Sequence, residues 1–129
     1  MQWNVGGWFG GQIGATVWIL VAGVLTAIRD VPTGMVVVLL FAIPNVIGLM
    51  LWRRRRLSCY GSTQLLIASA GICSLLTVYI LERANAWTRI QTGGSVSALS
   101  TYWIIAMVFA GLMIMFYLRF GRNGNGPET

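Results

Sequence analysis

The chemistry open to this chain is bounded by its titratable side chains. It has no histidine, three carboxylates, and nine basic residues, all of them arginine. Without imidazole there is no Ser-His-Asp triad and no histidine ligand for haem. The two cysteines, Cys59 and Cys73, form no Cys-x-x-Cys pair, and neither a G-x-S-x-G elbow nor a P-loop occurs. The carboxylates are Asp30, Glu82 and Glu128. All lie outside the long apolar runs, so none stands within a membrane to couple proton movement to transport. No catalytic residue, cofactor or metal site is expected, and the chain reads as a non-enzyme. Asp30 and Glu82 are expected on one face, where a paired acid/base or cation site is conceivable. Their neighbours Arg29, Arg83 and Arg89 favour surface ion pairs instead, which contribute little to stability.

Three further groups of residues are candidates for recognition. Pro44-Asn45 sits in the second apolar run: Pro44 cannot donate to the Leu40 carbonyl, so a kink is expected, and the Asn45 amide needs a partner in lipid. Asn45 can serve a pore or ligand contact, or an interhelical hydrogen bond. Gly6, Gly7, Gly10, Gly11, Gly14 and Ala15 repeat the small-x-x-x-small spacing that lets helices approach closely. This reads as a packing face, whether the partner is the same chain, a copy or another protein. Arg53-Arg-Arg-Arg56 closes the second run and reads as a topology signal and a contact for anionic headgroups.

The elements that must position these residues follow from hydropathy. Of 129 residues, 57% are hydrophobic and 9% charged, against about 25% charged in ordinary globular chains. A soluble domain this small buries only about 60–70% of its chain surface and could not hide so much apolar area. Four apolar runs, about 8–28, 35–52, 62–81 and 100–118, hold no Asp, Glu, Lys, Arg or His. At 1.5 Å per residue each measures about 27–31 Å, the thickness of a hydrocarbon core. Backbone groups in lipid must bond internally, which a single run of this length does only as a helix. The expected fold is an all-α bundle of four transmembrane helices, residues 1–122 forming the domain and 123–129 a polar, disordered tail.

Punctuation agrees with these boundaries. Pro32 sits near a helix start, Ser97 or Ser100 can cap the fourth helix, and the longest connection runs from Glu82 to Leu99. Cys59 and Cys73 stand about 21 Å apart on one helix, too far for a disulfide. The first run lacks the positive n-region of a signal peptide and is expected to stay as a helix. With both termini inside, the inner face holds Arg53 to Arg56, Arg119 and Arg122, and the outer face only Arg29, Arg83 and Arg89. The positive-inside rule then favours an inner-membrane protein with cytoplasmic termini. The arginines flank apolar runs, so the expected partners are the bilayer and other membrane subunits or copies of the chain, not nucleic acid.

Gly10-Gly-Gln-Ile-Gly-Ala15, Asn45-Val-Ile-Gly48 and Gly93-Gly-Ser-Val-Ser-Ala-Leu-Ser-Thr-Tyr102 look similar to short patches of the small four-helix fluoride channels. The third patch here precedes the fourth helix and lacks that family's phenylalanines, so the likeness assigns no family. The absence of chemistry, the short loops and the glycine-rich helix point instead to an accessory or assembly subunit of a larger membrane complex. A small homo-oligomeric channel or transporter is the alternative.

Overall fold

The computed structural model describes residues 3–84 and 98–122. Among the described residues four helices run in sequence: α1 (Val5–Ala27), α2 (Val31–Arg54), α3 (Cys59–Arg83) and α4 (Ala98–Phe116). A π-helical turn, Tyr117–Gly121, continues α4. All four are long and apolar enough to cross a membrane, and the described residues contain no strand. The protein is a small multi-pass membrane protein with an all-α, four-helix architecture. Residues 85–97, which hold most of the long connection with Trp87 and Ser97, lie outside the described residues, as does the 123–129 tail.

The helices begin earlier than the apolar runs because polar caps sit upstream of them. The Asn4 side chain accepts from the Gly7 N–H, Asp30 from Thr33 and Ser58 from Gly61. Each satisfies an N–H that the first turn leaves without an intrahelical partner. Asp30 also accepts the Thr33 hydroxyl at 2.6 Å, so its carboxylate serves as a helix cap. Pro32 sits in the first turn of α2, and that helix continues through Pro44. α2 ends at Arg55, which adopts a left-handed conformation (φ 43°), the usual position of a C-terminal glycine.

α1 and α2 form the tightest pair, and small residues explain it. Gly23 and Ala27 are spaced i,i+4 on α1 and face Gly34 on α2. A Cβ at Gly34 would overlap the backbone of Ala27, and one at Gly23 would lie 2.8 Å from a Val38 methyl. Close approach of this kind replaces the hydrophobic drive that lipid does not supply. Below the crossing, Ile19, Ala22, Val37, Leu40, Cys73 and Leu81 form the core of α1, α2 and α3, with Trp18 and Phe41 packed against it. Cys59 and Cys73 both lie on α3, buried and not bonded to each other.

α4 is attached more lightly, packing chiefly on α3. Gly71 receives Phe109, whose Cγ would lie 3.1 Å from a Cβ there. Gln64 Nε2 donates to the Met113 carbonyl at 2.9 Å and to the Tyr60 hydroxyl at 3.0 Å. The Tyr102 hydroxyl donates to Glu82 at 3.1 Å.

Candidate functional site

One cluster of polar residues within the spans, Gln12, Thr16 and Asn45, lies at the α1–α2 interface. Gln12 Nε2 donates to Asn45 Oδ1 at 3.0 Å and to the Asn45 carbonyl at 2.9 Å. Asn45 Nδ2 donates to Thr16 Oγ1 at 3.1 Å and to the Phe41 carbonyl at 2.7 Å. Thr16 Oγ1 donates in turn to the Gln12 carbonyl at 2.8 Å. The three residues thus close a ring of hydrogen bonds across two helices. One turn away, the Trp8 indole N–H donates to the Gly48 carbonyl at 3.2 Å. Gly48 admits this packing because the Gln12 amide occupies the space a Cβ would need. Gln12 Oε1 alone in the ring finds no partner.

Apart from Gln12 Oε1, the amides and the hydroxyl of the ring bond one another and backbone carbonyls, so Asn45 joins α1 to α2. The ring holds no acid or base. The remaining buried threonines behave similarly: the hydroxyls of Thr26, Thr63 and Thr77 each donate at 2.8 Å to the carbonyl four residues back, which satisfies them locally in lipid.

The arginine end of the bundle carries an aromatic cluster. Trp3 stacks near Trp8 at 5.0 Å and near Trp52 at 5.5 Å, and Phe9 lies 5.5 Å from Trp52. The Arg55 guanidinium sits 4.6 Å from the Trp52 ring and 5.3 Å from Trp3. This cation–π contact helps explain why a non-glycine residue tolerates the left-handed turn. Arg53, Arg54 and Arg56 are exposed beside it. At the other end lie Asp30, capping α2, and Glu82, bonded to Tyr102.

The glycine-rich segment divides into faces. α1 packs in this chain through Trp8, Gln12, Thr16, Ile19, Ala22, Gly23 and Thr26, and none of these is one of the six small residues Gly6, Gly7, Gly10, Gly11, Gly14 and Ala15. Gly7, Gly11 and Ala15 instead line a groove facing α3 and α4. Gly6, Gly10 and Gly14 are exposed, and a Cβ at Gly10 or Gly14 would meet nothing within 4 Å. Pro44 is buried in α2 next to the ring.

Sequence reasoning missed Gln12 and Thr16 as the partners of Asn45, and Gly23, Ala27 and Gly34 as the close crossing. The signals were present: Gln12 and Thr16 are i,i+4, and Gly23-x-x-x-Ala27 repeats the small-residue spacing. Comparison with family models, curated proteins and solved structures finds no match. No group of three or more potential metal ligands occurs among the described residues.

Proposed function

We propose that this protein is a non-catalytic accessory or assembly subunit of a larger membrane complex, seated in an inner membrane with both termini cytoplasmic. The observation that carries this reading is the exposure of two helix faces. The spanning window of α4 has no buried residue, and the Gly6, Gly10 and Gly14 ridge of α1 faces away from its own bundle. Each glycine in a helix costs about 1 kcal/mol relative to alanine. Facing lipid, those glycines return no packing within the chain. A partner helix approaching closely along the ridge supplies that return.

The channel reading has less support. It rests on Asn45, the Pro44 kink and the glycine-rich first helix, yet the Asn45 amide is used within the α1–α2 pair, and the groove along Gly7, Gly11 and Ala15 is lined mainly by apolar residues.

Extraction in mild detergent followed by native mass measurement tests the proposal. The chain is expected to travel with larger, unrelated subunits. Recovery solely as a monomer or homo-oligomer would contradict the accessory role.

A further inference from the structure

The bundle is open along one side. Between α1 and α4, floored by α3, runs a groove of about 350 Å³ whose walls include Gly7, Gly11, Ala15, Leu66, Leu112 and Phe116. It reaches from Asn4 to Ala15 on α1 and from Cys59 to Ala70 on α3, a depth of about 17 Å at 1.5 Å per residue. That depth matches one leaflet, half of a hydrocarbon core of about 30 Å. Phe109, resting on Gly71, stands at its inner end. Its outer end lies where α1 and α3 begin and α4 finishes. Arg56 therefore precedes one wall by three residues, and Arg119 follows another by three.

We propose that this groove binds one anionic phospholipid, an acyl chain lying along Gly7, Gly11 and Ala15 and the phosphate held among Arg53, Arg54, Arg56 and Arg119. Depth decides against a transmembrane helix as the occupant: the groove runs through one leaflet only, and a spanning helix would need a wall in the other leaflet as well. The groove walls are chiefly apolar, which suits a hydrocarbon chain. The absence of side chains at Gly7 and Gly11 creates this width. Charge selects the headgroup. Arg53, Arg54, Arg56 and Arg119 are exposed, the carboxylates Asp30 and Glu82 lie at the opposite end, and guanidinium matches phosphate in a bidentate fork.

The test uses the full chain in mild detergent. It is titrated with phosphatidylglycerol or with phosphatidylcholine of the same acyl chains, and retained lipid is counted by native mass spectrometry. One phosphatidylglycerol per chain is expected, retained at least ten-fold better than phosphatidylcholine and not displaced by inorganic phosphate. Gly11→Leu and Ala15→Leu, which fill the groove, should each cut retention ten-fold or more, while Gly10→Leu on the outward ridge should leave it unchanged. The double variant Arg56→Gln/Arg119→Gln keeps Arg53 to Arg55 for topology and should lose roughly five-fold per arginine. Equal retention of both lipids by the unmodified chain overturns the proposal. So does undiminished retention in both folded groove variants, or a second copy or another protein held in place of lipid. The comparison of the two lipids needs no variant, so a substitution that prevents folding leaves the test standing.

Discussion

The α1–α2 crossing makes a sharp prediction through one methyl group. Gly34 lies where a Cβ would overlap the Ala27 backbone, and a backbone cannot rotate aside as a side chain can. Gly34→Ala should therefore force the two helices apart. Overpacking costs about 1–3 kcal/mol, with the upper part of that range fitting a rigid neighbour. The gain in helix propensity from replacing glycine returns about 1 kcal/mol. The net expectation is a loss of about 1–2 kcal/mol, compounded where the displaced pair also stretches the Gln12–Asn45 and Trp8–Gly48 bonds. Gly10→Ala is the matched control, since a Cβ at Gly10 meets nothing within 4 Å. Its propensity gain is unopposed, and it should be stabilised by about 0.4–1 kcal/mol. Reversible unfolding of the purified chain in mixed micelles, followed by far-UV circular dichroism and tryptophan emission, measures both. If Gly34→Ala were as stable as Gly10→Ala, the close crossing would be wrong.

Other perturbations probe separate parts of the account. Asn45→Ala removes the side-chain bonds to Gln12 and Thr16. At about 0.6 kcal/mol for an average interhelical bond in a membrane protein, reaching about 1.7 at most, it should cost about 1–3 kcal/mol in the same unfolding assay. Arg55→Gly relieves the left-handed turn but gives up the cation–π contact, terms of about 1 kcal/mol each that should nearly cancel, whereas Arg55→Ala loses the contact without relieving the turn and should be the less stable of the two. For topology, a cysteine at Gly93, between α3 and α4, should react with a membrane-impermeant maleimide from the side opposite Arg53 to Arg56. Labelling from the cytoplasmic side alone would reverse the assigned orientation.

The four spans could be read from sequence because lipid imposes a constraint that composition alone reports: a run of about 20 apolar residues with no charge. The helix starts were less legible. Asn4, Asp30 and Ser58 are polar and lie outside those runs, so hydropathy places the boundary too late, and only the capping bonds extend it. Asn45 stood out as a lone amide in a span. Its partners did not, because Gln12 and Thr16 sit 33 and 29 positions away in the chain and meet Asn45 only once α1 packs on α2. The glycine-rich stretch revealed that a helix face is made for close approach but not which way that face points. The rotation of α1 about its axis is set by Trp8, Gln12 and Gly23 against α2, and it turns the glycine ridges outward and towards the groove. The groove is lined by residues of α1, α3 and α4 that lie far apart in the chain, so no local spacing encodes it.

The outward ridge of α1 is expected to meet another protein in the membrane. The direct measurement is a photoreactive amino acid placed at Gly10 in the full chain, activated in intact membranes, with its adducts identified by mass. Cross-links to an unrelated membrane subunit are expected, and they should be lost when the probe replaces Ile19, a side chain already buried in the core. Cross-links confined to lipid or to copies of this chain would contradict this expectation.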